Sequence, residues 1–331
     1  MGILTELRTK LCPADGYTVD TNLIKALGGV VKRNLAETAP LDWKDTTYWP
    51  ELDWNPSDVS QYFAVGNSVN FRYWELDAES KLLYCEGKKG GIQTRGARYM
   101  WRSLKVCTER NLFPILDASK LSRITLKEVR KIFADDDGQD RMPDLEGRVT
   151  NLRNLGEKLI EEWDGRFWNL VEDSHGSLDR FADFSAELRA FDDPLCKLTM
   201  VNAIMHTGRG LVRFEGEILP GIDYQLVKQT VRQGVVVPPP KVRDKLRRYA
   251  LLTRSEAAAL RSTALYALLE IARIANVRGD VLDNLYWSNG RRCDDSAPVC
   301  TVRGRERECP FLDECMKLVD FRIPLETTRY Y

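Results

Sequence analysis

The sequence predicts a mainly α protein with a small β hairpin in its N-terminal third and a cysteine-rich, metal-binding loop near its C-terminal end. Three observations predict it. From Gly96 onward, apolar residues recur at three- and four-residue steps, the period of a helix that buries one face. Strand-like alternation is confined to a short region around residues 65–84. Four of the eight cysteines, Cys293, Cys300, Cys309 and Cys315, fall within one polar, charged stretch. With 331 residues, 43% of them hydrophobic, the chain can bury a sizeable core.

In chain order, Asn22 to Leu35 reads as a helix, followed by irregular Trp- and Pro-rich chain around TTYWPELDWNP. Val65, Val69, Phe71 and Tyr73 with Leu82 and Tyr84 read as two short strands turning at Asp77–Ser80. TLKEVRKIF (125–133), DLEGRVTNLRNLGEKLIEEW (144–163) and SLDRFADFSAELRAF (177–191) read as amphipathic helices. PPP at 238–240 breaks any helix and reorients the chain. Thr253 and Glu256 form a capping box ahead of an Ala/Leu-rich central helix. The expected division is an N-terminal segment with the hairpin (1–110), a helical core (111–289) and the cysteine-rich loop and tail (290–331), in one compact unit.

No apolar run approaches the ~18 residues needed to span a bilayer. The opening MGILTELRTK lacks the pattern of a secretory signal, so a cytoplasmic, reducing compartment is expected. Lys plus Arg and Asp plus Glu are 49 each, so no overall basic field advertises nucleic acid. The zero hides an asymmetry: residues 197–331 carry 22 basic and 16 acidic side chains, a net of +6. KVRDKLRR (241–248) reads as a solvated helix face before it reads as a phosphate-binding patch. His175 and His206 have no ligand or triad partner at useful spacing and read as ordinary residues.

The cysteine spacing is C-x6-C-x8-C-x5-C. Four thiolates from one loop suit zinc or an iron–sulfur cluster rather than a hard, oxygen-loving cation. Zinc loops usually bring cysteines in close pairs, which are missing here, and Pro310 follows the third cysteine directly. The spacing resembles the C-x6-C-x2-C-x5-C loop of iron–sulfur helix-hairpin-helix DNA glycosylases, with a longer middle gap. A [4Fe-4S] cluster is the first expectation and zinc the alternative, in a structural role.

A second resemblance spans about residues 60–290. GNSVNFRYW (66–74) is similar to the "[ST]-[IL]-N-F-x-[FY]-W" segment of the queuosine salvage N-glycosidases. Asp223, Tyr224, Gln225 and Leu226 in ILPGIDYQLVKQTVRQGVV (218–236) resemble its "DYR-V/L-PQ…G" segment, and LDNLYW (282–287) its "D-x-x-LW". GARYMWRSLKVCTERNLFPILDAS (96–119), ITLKEVRKIF with MPDLEGR, the 253–272 helix and the terminal pair Tyr330–Tyr331 agree in the same order. The resemblance implies a helix-hairpin-helix, DNA-glycosylase-like fold and hydrolysis of the bond between a 7-deazaguanine base and ribose 5′-phosphate, releasing queuine for transfer RNA modification. No cofactor is needed for that reaction.

Breaking an N-glycosidic bond builds positive charge on the sugar and negative charge on the departing base, so a carboxylate near the anomeric carbon is required. A 7-deaza base has carbon at position 7 and cannot be protonated there, which moves the work to the sugar side. The resemblance puts Asp283 at the sugar and Asp223 at the base; analogy with the DNA glycosylases' "D-T-H-V-x-R" segment would instead give Asp223 the sugar. The bland alternative for either is a helix cap or surface charge. Phe71, Trp74, Tyr224 and Trp287 could sandwich a flat base, though aromatic residues are more often plain core. Asn70 and Asn284 are candidate polar contacts, and Lys197 matches a family lysine. The family's Pro and Gln after "DYR-V/L" are Val227 and Lys228 here, Ser288 follows the Trp, Trp49–Pro50 stands where His–Pro is expected, and the tail "HRTR" reads ETTR. Lys228 only donates hydrogen bonds where Gln would donate and accept, so the preferred base could differ. A base-excision glycosylase on nucleic acid and a silent nucleotide-binding module are the competing readings; no membrane partner is expected.

Overall fold

A computed structural model describes residues 2–35, 41–79 and 81–330. Among them are fourteen α-helices, two short 3-10 helices and three two-stranded antiparallel sheets, so the mainly α expectation holds. No helix among the described residues is long and apolar enough to cross a membrane. The chain forms two compact units, each assembled from separated segments: residues 1–4, 42–216 and 328–331 in the first, and 5–41 with 217–327 in the second.

In the first unit, Asn55 caps the helix Pro56–Ser68, its side chain accepting from Asp58 N, with Pro56 in the first turn where its missing N–H is harmless. This overturns the expectation of a strand through Val65. The N-cap and leading proline start a helix in which every residue from Val59 to Ser68 is buried, so the sequence lacks the one-sided apolar stripe that would reveal it. The hairpin that does form is shorter, Trp74–Leu76 with Leu82–Tyr84, and Ser80 of its expected turn lies outside the described residues. A second hairpin, Glu86–Lys89 with Ile92–Arg95, turns through Gly90 and Gly91, both at positive φ. Helices Leu126–Phe133, Leu145–Glu162 and Leu178–Ser185 appear where periodicity placed them, the last ending earlier than expected.

In the second unit, helix Arg254–Ala275 starts with the expected capping box of Thr253 and Glu256 and packs along helix Thr21–Asn34. Gly28 permits that approach: a Cβ there would lie 2.6 Å from Ile274 Cγ2. The strand Val236–Val237 pairs with Thr18–Val19, and Pro240 opens the next helix, Pro240–Arg247. The basic stretch proves to be a helix face tied by ion pairs, Lys245 to Glu256 at 2.6 Å and Arg247 to Asp320 at 2.6 Å. Helices Tyr224–Arg232 and Gly279–Arg292 lie against each other. Beyond Cys293 the unit continues with two 3-10 turns, Val299–Thr301 and Glu306–Glu308, and otherwise irregular chain.

Candidate functional site

The second unit holds both candidate aspartates. Asp223 is the N-cap of helix Tyr224–Arg232, and its Oδ1 accepts from Gln225 N (2.8 Å) and Leu226 N (3.0 Å). Asp283 lies five residues into helix Gly279–Arg292, and its Oδ1 accepts from Gly221 N at 2.8 Å. Gly279 makes this approach possible, because a Cβ there would lie 2.2 Å from the Ile218 carbonyl oxygen. Both carboxylates are half-buried. The two helices pack against each other. Gln229 donates to the Tyr286 carbonyl (2.6 Å), Asn289 to Gln229 Oε1 (2.8 Å), and Tyr286 to Gln233 Oε1 (3.1 Å). The Gly221 contact thus brings Asp283 to the start of the helix that Asp223 caps and Tyr224 opens. Asn284, Trp287 and Ser288 follow on the second helix, half-buried, with the Arg291 guanidinium 5.1 Å from the Trp287 ring.

Lys228 goes the other way. It is buried, donates to the Gly290 carbonyl (3.4 Å) and lies 3.5 Å from Asp295 Oδ1, at the far end of the pair. Burial depresses its pKa, partly offset by the Asp295 charge. Arg232 ends the same helix, also buried, donating to Asp295 Oδ1 (3.0 Å), the Cys293 carbonyl (2.9 Å), the Asp294 carbonyl (2.9 Å) and the Phe321 carbonyl (2.6 Å).

The cysteine loop closes over this end. Cys293 is the C-cap of helix Gly279–Arg292. Its Sγ accepts from Arg232 Nη1 at 3.3 Å, the Cys315 thiol faces the Arg232 carbonyl at 3.6 Å, and Lys317 N donates to Cys315 Sγ at 3.3 Å. All four thiols are unpaired and half-buried. Burial, helped by the charges of the neighbouring loop thiols and partly offset by backbone hydrogen bonds, pushes Cys309 up to about 11 and Cys315 up to about 12. Cys300 is raised for the same reasons. As they stand, no group of three or more His, Cys, Asp or Glu side chains is placed to hold a metal ion among the described residues.

In the first unit, Asn70, Phe71 and Trp74 follow the helix Pro56–Ser68. Asn70 is buried, accepts from Tyr73 OH (2.8 Å) and donates to Asn67 Oδ1 (3.2 Å). Lys197 is buried too, against the usual fate of a lysine, and donates to the Asn70 carbonyl at 3.1 Å. Phe71 is fully buried beneath the Arg148 guanidinium, 4.3 Å from its ring, and Arg148 also donates to the Phe71 and Pro143 carbonyls. Burial lowers Arg148 to about 10. Arg329 of the ETTR tail lies 3.3 Å from Asp144 Oδ2, beside the start of the Arg148 helix, and Tyr331 lies outside the described residues. A cleft of about 840 Å³ in this unit is lined by other residues, among them Trp54, Asp58, Phe113 and Arg166.

Residues 51–197 match the family described as Queuosine salvage protein. The chain is 24% identical over 315 residues to queuosine 5′-phosphate N-glycosylase/hydrolase from Sphaerobacter thermophilus, covering 88% of this chain and 93% of that one. It is 29% identical over 121 residues to the mouse protein of the same name, covering 37% and 34%. By sequence, then, the chain is similar to the queuosine salvage proteins. The family match contains Asn70, Phe71, Trp74 and Lys197 and ends before Asp223 and Asp283. Among solved structures, an 8-oxoguanine DNA glycosylase from Pyrobaculum aerophilum aligns with a TM-score of 0.44 at 15% identity, covering 88% of this chain and 97% of that one.

Sequence reasoning missed Arg148, Arg232 and Asp295. Each is a charged residue nine-tenths or more buried. Arg148 stood in the MPDLEGR match, but no local pattern reveals that a charged side chain will turn inward.

Proposed function

We propose that this chain is an N-glycosidase that hydrolyses the bond between a 7-deazaguanine base and ribose 5′-phosphate, with queuosine 5′-phosphate or a close relative as substrate. The sequence likeness to relatives named queuosine 5′-phosphate N-glycosylase/hydrolase, one of them along 88% of this chain, supports the reading. The observation that carries it is the Gly221–Asp283 hydrogen bond, which fixes a half-buried carboxylate beside the Asp223-capped helix start. Asp283 is assigned to the sugar, where its negative charge opposes the charge developing at C1′ and its oxygen can accept a proton from the attacking water. Water then supplies hydroxyl to C1′ and a proton to the departing nitrogen. Asp223, with Oδ1 committed to the helix start, is assigned to the polar edge of the base.

Asn284, Trp287, Ser288 and Tyr224 are proposed base or sugar contacts on the same two helices, and Asn70, Phe71, Trp74 and Lys197 are carried as family-matched candidates. The substrate is a small nucleotide. None of the cysteines among the described residues is in a disulfide, which fits action in the reducing cytoplasm. Incubation with queuosine 5′-phosphate, guanosine 5′-phosphate and a base-modified oligonucleotide, scored for free base by mass spectrometry, tests the reading. Queuine released from the first alone supports it. Base release only from the oligonucleotide, or from none of the three, overturns it.

A further inference from the structure

The loop from Cys293 to Cys315 is anchored at its start through Asp295 but holds little apolar core of its own. Between these residues the regular structure is two three-residue 3-10 turns, and the buried apolar side chains are Pro298, Val299 and Phe311. Yet it covers the end of the helix pair whose opposite end carries Asp223 and Asp283. Segments with so few apolar contacts usually need a covalent or metal cross-link. None of its four thiols is in a disulfide.

The surroundings of the thiols are those of a site for anionic sulfur. Arg232 Nη1 reaches Cys293 Sγ at 3.3 Å, and the Lys317 peptide N–H reaches Cys315 Sγ at 3.3 Å. Both are donors aimed at sulfur, the kind of outer contact that steadies a metal-bound thiolate. Beneath them, two buried cations, Lys228 and Arg232, share one buried carboxylate, Asp295. Their surplus positive charge offsets a centre in which four thiolates outweigh the metal. Cys293 and Cys315 both contact Arg232, one at its guanidinium and one at its carbonyl. Cys300 and Cys309 lie within electrostatic reach of Cys293.

We infer that Cys293, Cys300, Cys309 and Cys315 bind one soft metal centre through four thiolate sulfurs, and that this centre pins the far ends of the two aspartate-bearing helices together. Oxygen-preferring cations do not suit such a donor set. The shared chemistry is tetrathiolate coordination; its two fillings are a single Zn²⁺ and an iron–sulfur cluster. Arg232 and Lys228 are positioning residues that supply countercharge. Closing on either filling requires the loop to tighten, since the thiols stand apart in the structure.

The test is elemental analysis of the full chain, purified without oxygen from cells supplied with both iron and zinc. Either about one zinc without sulfide, or about four irons with about four acid-labile sulfides, is expected per chain. Cys300→Ser and Cys309→Ser should each lose most of that metal, whereas Cys12→Ser, at an exposed site, should keep it. Should the loop variants fail to fold, alkylation of the unaltered protein decides. The four thiols should resist iodoacetamide until a chelator or oxidant removes the centre, while Cys12 reacts at once. Purified protein with less than about one-tenth equivalent of any such metal, or metal retained in Cys300→Ser with Cys309→Ser, overturns the inference. None of these readouts depends on glycosidase turnover, so the site and the activity can fail separately.

Discussion

The peptide N–H of Gly221 donates to Oδ1 of Asp283 at 2.8 Å, tying a side chain on one helix to the backbone just ahead of the neighbouring helix's cap, Asp223. The carboxylate is therefore aimed by a main-chain group and not by a flexible neighbour. Asp283→Asn keeps an acceptor for Gly221 and removes the charge. Turnover should fall by roughly 10²–10⁴, the usual worth of a positioned acid–base group, with little change in melting temperature. Retention of more than a third of the activity would remove Asp283 from the chemistry.

Asp223 has two separable roles. Asn caps a helix about as well as Asp, while Ala does not, and losing the cap costs about 1 kcal/mol. Asp223→Asn should unfold at the same denaturant concentration as the unaltered chain, and Asp223→Ala earlier. If both variants lose activity alike while only the second loses stability, the charge matters beyond the cap. Full activity in Asp223→Asn would leave it a cap alone.

Arg232 holds the Asp295 carboxylate at 3.0 Å with both side chains buried. Arg232→Met strips away that partner and several carbonyl contacts, and should destabilise the chain by about 3–5 kcal/mol. Adding Asp295→Asn should recover part of the loss, measured as a non-additive double-mutant cycle in urea. Strict additivity would mean the two side chains do not interact.

Gly66 lies where helix Pro56–Ser68 meets Trp101: a Cβ there would sit 1.9 Å from the ring. Gly66→Ala should cost about 1–3 kcal/mol through overpacking, read from the denaturation midpoint. An unchanged midpoint would mean the indole moves freely, contrary to its contacts with Trp49 at 4.9 Å and Tyr62 at 5.7 Å.

His206 is fully buried, its ring nitrogens 2.8 Å from Ser60 Oγ and 2.8 Å from the Asn202 carbonyl. Burial drives its pKa down from 6.5 to about 4. The unfolded chain therefore binds more protons between these values, so stability is full above pH 6.5 and is lost as pH falls towards 4. The loss from this group is about 3 kcal/mol over that window. His206→Gln should flatten this part of the stability–pH curve, whatever it costs at pH 7. An unchanged slope would place the titration elsewhere.

The legible parts of the fold were those where one local signal sufficed. The Thr253–Glu256 box and the three-four periodicity of 126–133 placed their helices within a residue or so. Val65 failed because its helix is buried on every side near its end, so no polar face interrupts the apolar run. The site was legible as residue types at motif positions, Asp223 and Asp283 above all. Their geometry was not, because it depends on the peptide N–H of Gly221 and on the side chain that Gly279 lacks. Lys228 illustrates the remainder. Its position in the DYQLVK segment says nothing about which way a helix turns it, and it faces Asp295.

The second unit's discontinuity sets an order on how the chain comes off the ribosome. Helix Thr21–Asn34 packs on Arg254–Ala275, which begins roughly 220 residues later. At about 5–20 residues per second, the earlier helix waits about 10–45 s for its partner, with Leu27 and Val31 unshielded. Chaperone capture during translation should therefore centre on the 21–34 stretch and end once residue 275 has emerged from the exit tunnel.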